Sequence, residues 1–303
     1  MIKIGIVSAA EPQAGELIRL LVNHTDVLIS SLCAPSHAGC HVQSVHHGLV
    51  GECELQFSQA LDLSGLDAVI IAADGPGANG PFVKADGTEP RIIDMRHSGE
   101  NPLPEGYEYG LSEINRKPLV RGATKAVLPA TPAAISLVAL YPLAANLLLN
   151  DGLKIKIKAP ADIVAPATLE EASKETALRL SEIQQSFTQN VSIQGEAIHN
   201  PRAIVFKATM PATISVAEAA GLYEGIYDDH NFTFLVPTPA EPKEVTGTQK
   251  CLIHLSKPDA ATLRIDAVAD CRMRGGAGEA VHVLNLLFAL HELTGLRLKA
   301  SQY

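Results

Sequence analysis

The sequence predicts an α/β fold in which a doubly wound, parallel-sheet domain is followed by a second α+β domain. Three observations predict it. The first 24 residues read as an apolar strand, a tight turn and an amphipathic helix. The run Leu66-Asp67-Ala68-Val69-Ile70-Ile71-Ala72 is of the kind buried on both faces of a parallel sheet. Beyond Leu153 the strands change to alternation, the pattern of a half-exposed sheet. The first half is therefore a doubly wound α/β layer.

Each element has its own warrant. Ile2, Ile4, Ile6 and Val7 make strand one, and Leu17, Ile18, Leu20, Leu21 and His24 recur at helical spacing. Val27-Leu28-Ile29, the run from Leu66, Arg91-Ile92-Ile93-Asp94 and Lys125-Ala126-Val127-Leu128 supply four more strands. Residues 133–149 are apolar nearly all round, so they form a buried helix, which Pro142 should kink or split. Lys154-Ile155-Lys156-Ile157-Lys158 alternates, and residues 169–187 form a polar amphipathic helix. Glu170, Glu171 and Glu175 read as its solvated first turns. Strands at 203–208, 251–255 and 263–268 follow, and the glycines at 275–278 lead into an apolar-striped helix over 279–293.

Composition narrows the function classes. A net charge of -9 argues against nucleic acid and against an anionic membrane surface as partners. No apolar run reaches the ~18 residues that suggest a membrane span. The core is aliphatic, because the chain has no Trp and only 4% aromatic residues. Five cysteines without a disulfide-type framework, and a strand opening at Ile2 where a leader would lie, give a cytoplasmic expectation.

The first βα turn departs from the chemistry such turns carry. Glycines normally let the backbone approach a pyrophosphate at the helix N-terminus. Here the turn reads Ser8-Ala9-Ala10-Glu11-Pro12-Gln13-Ala14-Gly15, so only Gly15 remains and Glu11 sets a like charge against a phosphate. Cys33, His37, Cys40, His41, His46, His47 and Cys53 form a dense set of nitrogen and sulfur ligands, but their spacing matches no standard zinc module. A solvated loop is the expectation, with no metal. Cys271, beside Arg272 and Arg274, reads as a turn residue before a helix in preference to a relocated nucleophile. Asp74-Gly75-Pro76-Gly77-Ala78-Asn79-Gly80 reads as a tight turn, and Asp228-Asp229-His230 as a surface loop.

Several stretches, taken in order, resemble the N-acetyl-γ-glutamyl-phosphate reductases of arginine biosynthesis and the related aspartate-semialdehyde dehydrogenases. They are the segment Ala14-Gly15-Glu16-Leu17-Ile18-Arg19-Leu20-Leu21, then Tyr109-Gly110-Leu111-Ser112-Glu113-Ile114-Asn115-Arg116, then Ala139-Leu140-Tyr141-Pro142-Leu143. The last is Gly275-Gly276-Ala277-Gly278-Glu279-Ala280-Val281 with Asn285-Leu286-Leu287-Phe288 and Thr294-Gly295-Leu296. Residues 155–200 match least and look shortened.

The resemblance implies a Rossmann-like NADP domain over 1–132, completed by a C-terminal helix in 277–303. It implies a semialdehyde-dehydrogenase-type α+β domain over 133–276. It also implies a cysteine nucleophile, hydride transfer from NADPH, a histidine acid/base and a homo-oligomer. The functional positions do not follow. The family's first two turn glycines map to Ser8 and Glu11, and its Tyr-Thr pair to Pro12 and Gln13. Thr131 stands at the nucleophile position, in Leu128-Pro129-Ala130-Thr131-Pro132-Ala133-Ala134, and a threonine alkoxide is not populated near neutral pH. The acid/base histidine would fall near 170–176, yet no histidine occurs from 98 to 198. The family's Asp-Leu-Ser-x-Asp-x-Arg loop becomes Asp94-Met95-Arg96-His97-Ser98-Gly99-Glu100, and the Asp-Asn pair near the nicotinamide becomes Asp270-Cys271, before Gly275. Arg202 fits the family's substrate-side arginine.

The expectation is therefore a reductase-like protein that has lost the reaction, with no cofactor, or NADP where nucleotide binding is retained. It would associate with itself or with an active paralogue, or bind a small metabolite at Arg202. The alternative is an active NADP-dependent oxidoreductase with a non-standard site.

Overall fold

The protein is described by a computed structural model covering residues 1–96 and 103–300. Two compact units result. One gathers the chain up to Leu128 together with Gly276–Arg297, and the other holds Pro129–Gly275.

The first unit is built on β1 (Ile2–Val7), β2 (Val27–Cys33), β3 (Ala68–Ile71), β4 (Arg91–Asp94), β5 (Tyr107–Tyr109) and β6 (Lys125–Val127), with helices α1 (Pro12–Leu21) and α2 (Ser112–Val120). The strand order is β2-β1-β3-β4-β6-β5, and every pairing is parallel. All four β3 residues are buried, as the apolar run requires. Between β2 and β3 the chain makes only short 3-10 turns, at Pro35–His37, Val42–Ser44 and His47–Leu49. Leu61, Leu63 and Phe82 pack against the cluster of Val7, Leu66, Val69, Ile71 and Ile92, doing for the sheet what a crossover helix does elsewhere. The short strand β5 is not among the strands expected from the sequence; it ends at Tyr109, where a family motif begins.

The second unit contains α3 (Thr131–Ala145), β7 (Lys154–Ala159), α4 (Pro166–Ile183), β8 (Ile193–Ala197), β9 (Ala203–Pro211), α5 (Val216–Tyr227), β10 (Thr233–Leu235), β11 (Cys251–Asp259) and β12 (Thr262–Asp270). Its sheet runs β10-β11-β12-β9-β7-β8 and is mixed: β10–β11 and β7–β8 are parallel, the other pairs antiparallel. In β7 the lysines at 154, 156 and 158 are exposed and Ile155, Ile157 and Ala159 buried, as alternation dictates.

Pro142 does not split α3 in two; the helix runs unbroken from Thr131 to Ala145. A proline without an N–H leaves the carbonyl four residues back unpaired. That carbonyl, of Val138, accepts from the buried Tyr227 hydroxyl at 2.5 Å, and the next, of Ala139, accepts from Tyr223 at 2.5 Å. A side-chain donor from α5 thus replaces the missing bond. Glu175 also corrects the sequence reading: it is 2% exposed, on the inner face of α4 with Ala172, Thr176 and Arg179.

The last helix, α6 (Ala277–Leu287), returns to the first unit and packs on α1, α2 and β4. It stops short of the expected 293, because the chain leaves the helix at Phe288 and Ala289 takes a positive φ of 51°. Inside this packing the His282 imidazole donates from Nε2 to Glu292 at 3.0 Å, and Glu279 lies 3.8 Å from Nδ1. Arg116 of α2 also donates to Glu292. Burial opposes a charged imidazole, but the Glu279 and Glu292 carboxylates outweigh it and push its pKa up to about 9. Among the described residues no helix is long and apolar enough to cross a membrane.

Two outcomes follow. Tyr227→Phe strands the Val138 carbonyl in the core and should cost about 1–3 kcal/mol in urea unfolding, with the secondary structure unchanged by circular dichroism. His282 has a folded-state pKa above its ordinary value, so its stabilisation is complete below pH about 6.5 and is lost as pH rises through about 9. The urea midpoint should therefore fall across that window, and His282→Gln should flatten the fall.

Candidate functional site

In an open parallel sheet, ligands bind beyond the carboxyl ends of the strands, where the strand order reverses. Here that point lies between β1 and β3, since β2 flanks β1 on one side and β3 on the other. The chain's own groups bridge it. Ser8, which follows β1 with φ 57°, donates its hydroxyl to the Ala73 carbonyl at 2.9 Å and the Asp74 carbonyl at 3.3 Å, beyond β3. A side chain on Gly75 would meet Ser8 Oγ at 2.9 Å, so this approach also needs that glycine.

Two amides of the turn are engaged as well. Ala9 N–H donates to the Cys33 carbonyl at 2.9 Å and Glu11 N–H to the Ser8 carbonyl at 3.1 Å. Pro12 opens α1 and has no N–H. Glu11 is the exposed N-cap residue of α1, with no capping bond from its side chain. Gly15 lies under the His46 ring; a Cβ there would come within 2.5 Å of Nδ1. That ring donates from Nε2 to the Ala9 carbonyl at 2.8 Å. Gly15 thus makes room for a side chain of the protein itself.

Arg96 closes the neighbouring edge. Its guanidinium donates to Asp94 at 2.6 and 2.9 Å, to Asn79 at 2.6 Å and to Asp74 at 3.2 Å, tying the segments that leave β3 and β4. The bonds to Asp94 outweigh partial burial and hold the guanidinium's pKa above its ordinary value. Residues 97–100 of the loop singled out in the sequence lie outside the described residues.

The Cys/His-rich stretch is dispersed. Cys33 and Cys53 are buried, Cys40 is exposed, and His37 and His46 lie against the Phe57 ring. Among the described residues no three His, Cys, Asp or Glu side chains converge on a point that could hold a metal.

The second unit brings four candidates together in two contacts. Thr131 is the first residue of α3 and is 2% exposed. Gly275, with φ 68°, sits against it: a Cβ there would lie 2.8 Å from the Thr131 Cα and 3.2 Å from its Oγ1. Arg202 donates from Nε to the Asp270 carboxylate at 2.6 Å, while Gly247 and Arg272 amides donate to the same carboxylate at 2.6 and 2.9 Å. So Arg202 and Asp270 hold each other. Cys271 is buried, and burial pushes its thiol up to about 12, which leaves it protonated and unreactive at neutral pH.

Sequence reading missed Glu175, Arg96, His46 and the Ser8 bridge. Only Glu175 left a signal: Leu169, Ala172, Thr176 and Leu180 mark an inner face on which position 175 also falls.

These two units define the class of protein. Solved structures of aspartate semialdehyde dehydrogenases share the fold. The Candida albicans enzyme with NADP superposes with a TM-score of 0.72, at 12% identity over 95% of this chain and 99% of that one. The Vibrio cholerae enzyme II gives 0.70, again at 12% identity, over 95% and 98%. No protein-family model matches the chain. Full-length relatives fix the family. The N-acetyl-γ-glutamyl-phosphate reductase of Parabacteroides distasonis is 33% identical over 327 aligned positions, and that of Bacteroides fragilis 32% over 325, each covering both chains completely. The chain belongs to the N-acetyl-γ-glutamyl-phosphate reductase family.

Gly275→Ala should be among the most damaging single substitutions in the second unit. It combines a positive φ with a backbone clash on Thr131, and should cost about 2–4 kcal/mol in equilibrium unfolding.

Proposed function

We propose that this chain is a reductase-like protein that no longer reduces an acyl phosphate and binds no NADP. The observation that supports it most is the first βα turn. Ser8 is bonded across the β1/β3 junction, the Ala9 and Glu11 amides have carbonyl partners, and Pro12 has no amide to offer. A pyrophosphate needs free N–H groups at that place. It would have to displace these bonds and settle beside the Glu11 carboxylate.

The nucleophile position supports the same reading. Thr131 Oγ1 is buried and has no hydrogen-bond partner, so no base among the described residues draws its proton. A threonine without a base is a poor nucleophile at neutral pH. The 98–198 segment holds no histidine.

With the chemistry gone, the retained scaffold fits a cytoplasmic partner role: self-association, or association with an active paralogue. A metabolite carboxylate at Arg202 is the second ligand reading, and it would have to compete with Asp270.

Titration with NADPH up to about 1 mM, the weak end of ordinary enzyme affinities, should give no saturable change in nicotinamide fluorescence. N-acetyl-γ-glutamyl phosphate with NADPH should give no turnover above buffer. Saturable binding, together with turnover that Thr131→Ala abolishes, would establish the active alternative instead.

A further inference from the structure

In the first unit a cavity of about 470 Å³ lies between the last turn of α2 and the end of α6, a size that suits a small molecule. Helix α2 joins β5 to β6, which run parallel, so its last turn lies at the amino ends of the strands. Helix α6 ends at the same edge. Arg91, which opens β4, donates to the Leu287 carbonyl and stacks 4.2 Å over the Phe288 ring. The first βα turn follows the carboxyl end of β1, at the opposite edge.

Three of the four charged side chains that line the cavity are cations: Arg116, Lys117 and Arg121. The one carboxylate, Glu292, is already engaged, by Arg116 at 3.0 Å and by His282 at 3.0 Å. Lys117 and Arg121 have no carboxylate partner among the described residues. They stand one helical turn apart, where the Arg121 amide donates to the Lys117 carbonyl at 3.1 Å. Like charges at that spacing repel one another, and they are set here in a chain whose net charge is -9. A helix C-terminus favours cations, but that does not account for the apolar surface between them. Val120 is 48% exposed, and with Leu286 and Leu290 it lines the cavity.

The facing wall is strained. Ala289 N–H donates to the Leu286 carbonyl at 3.1 Å and Leu290 N–H to the Asn285 carbonyl at 2.8 Å, a helix ending that normally places glycine in the left-handed position. Ala289 holds that position, with φ 51°, and is itself part of the cavity lining. Such strain persists where the surroundings require the side chain.

The geometry points to a binding site for an amphipathic organic anion, an aliphatic carboxylate being the simplest. Its charge lies between Lys117 and Arg121, and its apolar body lies against Val120, Leu286 and Leu290. The site is separate from Arg202 and from the first βα turn, and it stands whether or not the chain reduces an acyl phosphate.

Saturation-transfer NMR titration of the full chain with hexanoate tests it, with acetate and hexanol as the two halves of the probe. Hexanoate should bind saturably, with a dissociation constant on the order of 1 mM. Acetate and hexanol should each bind about tenfold more weakly or worse. Lys117→Gln combined with Arg121→Gln should weaken hexanoate about tenfold and leave hexanol unchanged. Val120→Asp, which sets a like charge against the probe, should weaken hexanoate at least as much. Thr213→Asp places the same charge at an apolar cavity of the second unit and should change nothing. These positions are exposed, so each variant should fold, which circular dichroism checks. Absence of saturable hexanoate binding overturns the inference. It is overturned equally if acetate or hexanol binds as tightly as hexanoate, if either the double variant or Val120→Asp binds like wild type, or if Thr213→Asp weakens binding as Val120→Asp does.

Discussion

The Ser8 hydroxyl bond across the β1/β3 junction is the constraint on which the first unit's character depends. It holds a non-glycine residue at φ 57°, a conformation that costs an L-residue on the order of 1 kcal/mol. In that conformation the Ser8 carbonyl receives the Glu11 amide and its side chain reaches the segment after β3. The turn then closes on itself, α1 starts at a proline, and His46 lies down on Gly15. A glycine turn leaves its donors to a ligand. This turn gives its Ala9 and Glu11 amides to the protein.

The second unit is governed by the burial of α3. A helix with no polar face must have every backbone group satisfied from within the fold. Two groups that find no partner within the helix are the carbonyl opposite Pro142 and the amide of Ala130. Each is met from a different helix, by Tyr227 of α5 and Glu175 of α4. The same need explains why polar side chains lie deep in this unit while its aliphatic core stays intact.

A pattern links the two units. At Arg202, where the family's resemblance implies substrate, and at two positions it does not assign, charged groups are held by the protein's own counter-charges or amides. Arg96 is held by Asp94 and Asp74, Arg202 by Asp270, and Glu175 by the Ala130 amide. Ion pairs and bonds of this kind replace interactions that a ligand makes elsewhere, and a replaced interaction lowers the advantage of binding the ligand at all.

Periodicity and composition made the architecture legible. The buried run at Leu66, the lysine alternation at 154–158 and the glycines before α6 specify their elements because side-chain burial repeats every 2 or 3.6 residues. The family motifs lie on that scaffold, so the membership was legible too. Element ends were less so: α6 stops at Leu287, and Pro142 passes through α3, because both depend on partners distant in sequence.

What the sequence determined by itself was the pair of folds, the absence of histidine from 98 to 198, and a threonine where the resemblance implies a cysteine nucleophile. The tertiary structure alone decided where the polar groups go. Ser8 meets residues 65 and 66 positions away, His46 reaches 37 positions back to Ala9, and Glu175 reaches 45 positions back to Ala130. No local pattern encodes such bonds, because hydrogen bonding requires only that two groups meet in space with the right geometry.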